Sequence, residues 1–414
     1  MQKEFLTLDD FDLANKTLAV RIDLNSDLNE KGKAEINQRF YAHSETIKEL
    51  IEKGAKIILI AHQSRRGEKD FIPLEQHAKI LSELLNHEVK FVNEVVGEKA
   101  KEEILNLKPG EILLLDNVRF LEDEAVNKSM EDHANSSLVK FLSPLIDYYV
   151  LDAFSVAHRS HSSIVGFALV KPMIAGRVME KEIEEIRKAM NPLGINAWIM
   201  GGAKVDDCIS VLKHMFETKP ESIEKVLTGG LLANLFLFAK GFEIGSGSLE
   251  VLEKKGYLEL LDDARFLVEN YEKEIVLPSD VAFEVEGKRK EENVENIPSN
   301  ACILDIGSKT IDDYKSYIDE FRSIIVKGPL GKFEQKGFEI ATKEILEKVA
   351  DSDATTLIGG GDTSVAIEKL KIEKNKFSYV SVGGGALITF LSGKPMPGIE
   401  ALKNSAQKFK YGKG

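Results

Sequence analysis

Cysteine is nearly absent from this sequence. Its 414 residues include two cysteines, Cys208 and Cys302, which lie far apart and form no CxxC pair. Such spacing argues against a disulfide framework and against a zinc site, and it is typical of proteins in a reducing compartment. We therefore expect a cytoplasmic protein.

Long apolar runs and an excess of positive charge are also missing. No stretch approaches the apolar length that crosses a bilayer, and the acidic start MQKEFLTLDDF does not resemble a signal peptide. The net charge is −13. Nucleic-acid binding usually requires a basic field, so we expect neither a nucleic acid nor a membrane as partner.

Two common nucleotide motifs do not occur. The sequence contains no GxxxxGK[ST], and no GxGxxG follows a predicted strand. P-loop NTPases and Rossmann dehydrogenases use these glycine patterns to hold phosphates. Both classes are therefore disfavoured.

Short apolar runs alternate with helical patterns along the whole chain. The predicted strands lie at 18–25, 56–63, 111–120, 148–154, 197–204, 225–230, 274–280, 323–329, 355–361 and 378–385. Near-continuous apolar runs indicate strands buried on both faces, as in parallel sheets, and the chain length indicates two domains. We predict an α/β fold of two doubly wound, Rossmann-like parallel-sheet domains with a cleft between them.

Arginine marks the predicted strand ends of the first half. Each arginine of the first 170 residues lies at a strand end or in the loop after one: Arg21, Arg39, Arg65, Arg66, Arg119 and Arg159. The guanidinium group binds carboxylates and phosphates through two parallel hydrogen bonds, and ligands of parallel sheets bind beyond the carboxyl ends of the strands. Pairing with surface acids would explain one such arginine, whereas this cluster favours a small anionic ligand.

Glycine marks the strand ends of the second half. The clusters are Gly201–Gly202, Gly229–Gly230, Gly359–Gly361 and Gly383–Gly385. Glycine allows a close approach of the backbone to a ligand, and a helix that starts there offers N–H groups to phosphates. Turn geometry alone would explain one cluster, but four of them indicate a nucleotide pocket.

A helical segment, 172–192, separates these halves and is predicted to end at Pro192. We predict a first domain at 1–172, an interdomain helix at 173–190 and a second domain at 191–391. The C-terminal segment, about 392–414, is predicted to return to the first domain.

The sequence resembles the phosphoglycerate kinase family from end to end. The segments that carry the resemblance are VRIDLNSDL (20–28), INQR (36–39), AHQSRR (61–66), LLLDNVRF (113–120), DAFSVAHRSHSS (152–163), GGAKVDD (201–207), VKGPLGKFE (326–334), GGGDT (359–363) and SVGGGA (381–386). The resemblance implies reversible phosphoryl transfer, in which 1,3-bisphosphoglycerate and ADP give 3-phosphoglycerate and ATP. It also implies that the acid-phosphate binds the N-terminal domain and the Mg²⁺-nucleotide the C-terminal one.

The resemblance also assigns site residues in the first half. Asp23 and Asn25 match residues that bind the glycerate hydroxyl and carboxylate, and Arg39 matches the arginine that reaches the transferring group. The residues that match the distal-phosphate site are His62, Arg65, Arg119 and Arg159.

In the second half, Lys204 matches the lysine that stabilises the transferring group, and Glu334 matches the ribose contact. Asp362 matches the Mg²⁺ ligand and Thr363 a phosphate contact. Other residues expected at the nucleotide are Gly202, Ala203, Gly229, Gly230, Gly307, Lys327, Pro329, Gly360 and Gly361.

Four positions depart from the family pattern. A second lysine is replaced by Cys208, an asparagine by Lys327, a threonine by Val382 and a histidine by Tyr379. Lys327 or Lys332 could restore the charge lost at Cys208. Such departures suggest an archaeal-type branch of the family.

Phosphoryl transfer needs positioned cations rather than a general base, so we assign no histidine an acid–base role. His62 and His158 are expected to donate to the anion, and the remaining assigned histidines to be surface or core residues: His43, His77, His87, His133 and His214. Two alternatives are a kinase for another acyl phosphate and a non-catalytic nucleotide-binding relative. We expect a monomer rather than a homodimer, and the sequence does not distinguish ATP from GTP.

Overall fold

A computed structural model describes residues 4–190 and 196–409, and these residues form two compact units. The first unit extends to Ile183 and resumes at Pro395, while the second covers Glu184–Lys394. Pro192, where the interdomain helix was predicted to end, lies outside the described residues. Within residues 4–190 and 196–409, no helix is both long and apolar enough to cross a bilayer.

The first unit is built on a seven-stranded parallel sheet. Its strands are β1 (Leu6–Thr7), β2 (Thr17–Arg21), β3 (Lys56–Ile60), β4 (Val89–Val92), β5 (Ile112–Leu115), β6 (Tyr148–Leu151) and β7 (Met173–Ala175), in the order β1-β7-β6-β2-β3-β5-β4. Its helices are α1 (Gln38–Glu52), α2 (Glu75–Leu85), α3 (Glu98–Asn106), α4 (Met130–His133), α5 (Ser137–Leu142), α6 (Ser162–Val165) and the start of α7 (Arg177–Met190).

The central strands of this sheet are apolar throughout, and they are buried. Val20, Ile57 and Leu114 are completely inaccessible and belong to one hydrophobic core. Because the strands are parallel, their carboxyl ends meet at one edge, where polar residues follow β2, β3, β5 and β6.

The second unit contains a six-stranded parallel sheet. Its strands are β8 (Asn196–Met200), β9 (Lys225–Thr228), β10 (Ile275–Val276), β14 (Ser323–Lys327), β15 (Thr355–Gly359) and β16 (Tyr379–Val380). A smaller, antiparallel sheet contains β11 (Asp280–Val285), β12 (Lys288–Asn293) and β13 (Ile303–Ile306). The larger sheet has the order β10-β9-β8-β14-β15-β16. The helices that follow α7 are α8 (Val205–Thr218), α9 (Gly230–Ala239), α10 (Ser246–Lys254), α11 (Leu261–Asn270), α12 (Ser308–Ile318), α13 (Ile340–Ala350), α14 (Gly361–Lys369), α15 (Gly385–Leu391) and, in the first unit, α16 (Pro397–Lys408).

The two parallel sheets confirm the predicted α/β architecture, but strands β1, β4 and β7 of the first sheet and the whole smaller antiparallel sheet were not predicted. Strands β11 and β12 form a hairpin around Glu286 and Gly287, which have φ values of 50° and 74°. Two consecutive residues with positive φ are characteristic of a tight two-residue hairpin turn. The alternating pattern of VAFEVEGKRKEEN contains this signal.

Candidate active site

Asp23 is the centre of the polar edge of the first unit. The residue follows β2 and is almost completely buried, at 1% exposure. The main-chain N–H of Asn25 donates to its Oδ1 at 2.9 Å, the Ser155 hydroxyl donates to its Oδ2, and Nη1 of Arg39 lies 3.4 Å from Oδ2. Burial opposes ionisation, but Arg39 and these hydrogen bonds outweigh it, so the pKa of Asp23 lies below its ordinary value. Asp23 is therefore a carboxylate at neutral pH.

Asn25 and Arg39 are held next to this carboxylate. Nη1 of Arg39 donates to the Asn25 carbonyl at 3.1 Å, and the Asn25 side chain accepts from the Ser64 N–H at 2.6 Å. The sequence indicated a strand end or the loop after one for Arg39, whereas the structure places it in the first turn of α1. The reason is the side chain of Asn37, which caps this helix by accepting from the Arg39 N–H at 3.0 Å.

Four of the predicted arginines, Arg21, Arg65, Arg119 and Arg159, form a cationic cluster, whereas the exposed Arg66 pairs with Glu122 at 3.8 Å. Arg119 is 8% exposed, and its Nε has no hydrogen-bond partner in the structure. Burial, together with the positive charges of Arg21 and Arg159, lowers the pKa of Arg119 to about 10. Burial and the neighbouring Arg65 also lower the pKa of Arg159, although Arg65 itself is exposed. These cations repel one another, and an anion would remove that repulsion.

The histidines of the cluster are neutral at physiological pH. Burial holds the pKa of His62 well below its ordinary value, and burial with Arg159 lowers that of His158 to about 4. Neutral imidazoles can still donate a hydrogen bond through a ring N–H. Both residues therefore suit hydrogen bonding to an anion, without adding charge.

Arg21, which was predicted only as a member of the arginine cluster, is 1% exposed, and its Nη2 lies 3.1 Å from Nδ1 of His62. Two further residues at this edge, Ser155 and His43, were not assigned a site role from the sequence. Ser155 contacts Asp23, and Nε2 of His43 accepts from the Asp23 N–H at 3.0 Å. Ser155 lies inside the segment 152–163 that carried the resemblance, whereas His43 was predicted only as a surface or core residue.

The glycine clusters of the second unit lie at the carboxyl edge of its parallel sheet, after β8, β9 and β15. A Cβ atom at Gly230, where φ is +56°, would lie 2.7 Å from the main-chain N of Gly202. A Cβ at Gly328, where φ is +83°, would lie 2.2 Å from the Gly201 carbonyl oxygen. Glycine is needed at these positions because neighbouring loops touch backbone to backbone.

These loops border a cavity of about 370 Å³. Its wall includes six of the residues that were predicted to bind nucleotide: Gly202, Ala203, Gly230, Pro329, Glu334 and Asp362. Leu231, Val281 and Phe333 add apolar surface. A largely apolar pocket with a few polar groups at its edge suits a purine nucleoside.

Other predicted nucleotide residues do not line this cavity: Lys204, Gly229, Gly307, Lys327, Gly360, Gly361 and Thr363. Gly307 packs against Asp280, and its neighbour Ile306 faces the cavity instead. The Thr363 hydroxyl is buried; it donates to the Gly359 carbonyl at 2.9 Å and accepts from the Gly328 N–H at 2.8 Å. It thus joins two glycine loops.

Asp362 and Lys204 are exposed, whereas Lys327 is buried. Asp362 lies in the first turn of α14, next to Gly361, whose added Cβ would meet no atom within 4 Å. Nζ of Lys327 lies 3.1 Å from Sγ of Cys208. Among the described residues, no group of three or more acidic, histidine or cysteine side chains could hold a metal ion.

Known proteins give the same interpretation of the whole chain. The family model "Phosphoglycerate kinase" matches residues 8–394. The phosphoglycerate kinase of Methanococcus maripaludis is 43% identical over 416 residues, covering 98% of this chain and 100% of the relative. That of Methanopyrus kandleri is 41% identical over 403 residues, covering 97% and 98%.

Solved structures agree with these relatives. A crystal structure of phosphoglycerate kinase from Pyrococcus horikoshii OT3 has a TM-score of 0.90 and 39% identity, and the match covers 98% of this chain and 100% of that one. The enzyme from Coxiella burnetii has a TM-score of 0.81 and 31% identity, with 96% and 98% covered. The high identity to archaeal enzymes agrees with the predicted archaeal-type branch. This chain belongs to the phosphoglycerate kinase family, whose members transfer a phosphoryl group to and from a carboxyl group in glycolysis and gluconeogenesis.

Proposed function

We propose that the cationic cluster of the first unit binds 3-phosphoglycerate and 1,3-bisphosphoglycerate. The observation that carries this proposal is the buried Arg119, whose Nε has no partner and whose pKa is lowered by burial and by the charges of Arg21 and Arg159. A phosphate would supply the missing acceptor and the missing negative charge. His62, Arg65, Arg119 and Arg159 bind the distal phosphate, while Asp23 and Asn25 bind the glycerate hydroxyl and carboxylate.

The second unit binds ADP and ATP in the glycine-lined cavity. Gly202, Ala203, Gly230 and Pro329 border the base, and Glu334 contacts the ribose. Gly229 keeps the close loop packing, since a Cβ there would lie 2.8 Å from Cα of Leu330. Gly307 acts in the same way beside Asp280.

The phosphates lie at the start of α14. Gly360, Gly361 and Thr363 present main-chain N–H groups there, where a helix N-terminus favours negative charge. Lys204 and Lys327 supply positive charge from the neighbouring strand ends. A coupled assay with alternative nucleotides determines the preference between ATP and GTP.

The residues present fit a magnesium ion that arrives with the nucleotide. Asp362 offers one exposed carboxylate, which matches the usual Mg²⁺ site of one or two carboxylates completed by substrate phosphates and water. When bound, Mg²⁺ neutralises part of the phosphate charge. Asp362 holds and orients the metal–nucleotide complex.

The chemistry needs positioning and electrostatics. Arg39 and Lys204 stabilise the charge on the transferring group during an in-line displacement. No general base is required, because the attacking oxygen is already ionised at neutral pH. Since the two substrates are assigned to different units, transfer also needs a closure step that excludes water.

Replacing Asp362 by Asn tests this assignment. Removing the charge should lower kcat in the presence of Mg²⁺ by about 100-fold or more and leave the dissociation constant of 3-phosphoglycerate unchanged. A coupled assay gives kcat, and titration calorimetry gives the affinity. The control is Asp262→Asn on α11, where the aspartate side chain is 98% exposed. Undiminished turnover of Asp362→Asn would remove Asp362 from the metal site.

Substrate profiling distinguishes this function from that of a kinase for another acyl phosphate. A chain that binds nucleotide but transfers no phosphoryl group would support the non-catalytic alternative. We also propose that the protein is cytoplasmic and that it is a monomer. Light scattering of the purified chain tests the oligomeric state.

A further inference from the structure

His43 contacts two functional elements through its two ring nitrogens. Nε2 accepts a hydrogen bond from the main-chain N–H of Asp23 at 3.0 Å, and Nδ1 lies 2.6 Å from Oδ2 of Asp152. All three residues are at most 1% exposed. An N–H donor that faces Nε2 excludes a proton there, so the proton is on Nδ1 and is donated to Asp152.

Asp152 carries the connection on to helix α7. Its Oδ1 accepts from the Val178 N–H at 2.9 Å and from the Thr46 hydroxyl at 3.0 Å. The same hydroxyl accepts from the Arg177 N–H at 3.1 Å. The first two main-chain N–H groups of α7 are therefore fixed by this network, and such groups have no partner within their own helix.

A glycine at position 176 leaves room for these contacts. Gly176 immediately precedes α7, and an added Cβ there would lie 2.1 Å from Oδ1 of Asp152. Helix α7 is also the segment that leaves the first unit, because the division between units falls after Ile183. A continuous path of buried hydrogen bonds thus joins the Asp23 backbone to the helix that carries the chain into the second unit.

We infer that His43 is a positioning residue that couples the acid-phosphate site to the start of α7. This inference rests on the proposed role of Asp23 in binding phosphoglycerate. A ligand that orders Asp23 also orders its main-chain N–H, from which His43 accepts a hydrogen bond. Asp152 then passes this constraint to Arg177 and Val178. His43 touches neither substrate; it acts through Asp23 on one side and through Asp152 on the other.

The two contacts of His43 can be removed separately. The asparagine amide reaches about the position of Nδ1 and keeps the bond to Asp152, whereas the glutamine amide reaches about that of Nε2 and can still accept from Asp23. His43→Asn should raise the dissociation constant of 3-phosphoglycerate about tenfold, because the Asp23 N–H loses its acceptor. His43→Gln should keep this constant within about twofold and lower kcat about tenfold, because the connection to α7 is lost.

Thr46→Val provides a second test on the α7 side. Valine keeps the shape but removes the hydroxyl that joins Asp152 to Arg177, so this variant should reproduce the effect of His43→Gln. His87→Gln is the matched control, since the His87 side chain hydrogen-bonds the Gly110 carbonyl at 2.9 Å, within the same unit and away from the network. His87→Gln should change neither the dissociation constant of 3-phosphoglycerate nor kcat. Thermal unfolding checks that each variant is folded.

Hydrogen exchange gives a readout that a purely structural role would not change. In the wild-type chain, 3-phosphoglycerate should slow amide exchange at Val178, and in His43→Gln this slowing should be lost although the ligand still binds. Wild-type kcat together with ligand-induced protection in His43→Gln would overturn the coupling. If instead Arg119→Gln leaves 3-phosphoglycerate affinity unchanged, the proposed binding site itself fails, independently of His43.

Discussion

Lys327 is a buried cation for which the described residues supply no ion-pair partner. It ends β14, between β8 and β15, and is 5% exposed. Its ammonium contacts the Cys208 thiol at 3.1 Å; burial raises the pKa of this thiol, although Lys327 opposes the shift. The thiol is therefore neutral and leaves the charge of Lys327 uncompensated. This geometry supports Lys327 over the exposed Lys332 as the replacement for a lysine at position 208.

We predict a reciprocal relationship between positions 208 and 327. Lys327→Asn should lower kcat about tenfold, because one cation near the phosphates is lost. Cys208→Lys alone should also be harmful, since a second ammonium would occupy a fully buried position beside the first. The double variant should recover most of the activity, because its single charge returns to nearly the same place.

A double-mutant cycle of kcat and nucleotide affinity measures this coupling. Lys332→Asn serves as the control for loss of a cavity-lining lysine. Additive effects of the two substitutions would show that Lys327 and Cys208 act independently.

At the scale of elements, the small antiparallel sheet forms one wall of the cavity that we assign to the nucleotide. Arg289 on β12 donates to Asp305 on β13 at 2.8 Å and to the Gly337 carbonyl at 3.0 Å. It therefore ties the hairpin to the loop that follows β14. Burial raises the pKa of Asp305 to about 6, although Arg289 counteracts the shift.

Arg289→Met should destabilise the second unit by about 3 to 5 kcal/mol, because it leaves a buried carboxylate without its cation. The loss should be larger at pH 8 than at pH 5. A carboxyl group with a raised folded-state pKa binds its proton more tightly when folded, so stability falls as pH rises from its ordinary value through the folded value. Removing Arg289 raises the folded-state pKa of Asp305 further, so the loss of stability with rising pH becomes larger.

Thermal unfolding at the two pH values measures the effect. Arg265→Met on α11 is the control, since Arg265 is half exposed and its 3.6 Å pair with Asp262 contributes little. Equal losses for Arg289→Met at pH 5 and pH 8 would contradict the role of Asp305.

At the scale of the whole molecule, helix α16 follows the second unit along the chain but belongs to the first. Helix α16 buries Ile399, Ala401 and Leu402, and the Ser405 hydroxyl accepts from the Met173 N–H at 2.8 Å. The Gly398 N–H donates to the Ala157 carbonyl at 2.8 Å. These contacts support β7 and the loop that carries His158 and Arg159.

A chain that ends at Lys394 should therefore lose affinity for 3-phosphoglycerate and keep its affinity for nucleotide. The second unit, Glu184–Lys394, remains complete in this chain, whereas the first loses apolar burial worth several kcal/mol, at about 25 cal/mol per Å². Titration calorimetry with each ligand separates the two effects. A chain that ends at Phe409 is the control and should bind both ligands normally. Retained 3-phosphoglycerate binding in the shorter chain would show that α16 is dispensable.

Much of the fold and of the candidate site could be predicted from the sequence. The apolar runs are local patterns, and parallel strands bring their carboxyl ends to one edge, so Arg21 and Arg119 were expected together before their distances were known, while Asp23 was assigned by the family resemblance. The glycine loops were found for the same reason. The hairpin at Glu286–Gly287 was missed, although its pattern is local.

The remaining features depend on distances between residues that are remote in sequence, and only the tertiary structure decided them. Sequence spacing does not show that the side chains of Lys327 and Cys208 meet, nor that His43 lies between Asp23 and Asp152. The sequence also does not show which side chains are buried, because burial depends on how whole elements pack. By itself, the sequence determined most strands of the two parallel sheets, the chemistry offered at their ends and the family; the packing determined which of those groups are charged, paired or left for a ligand.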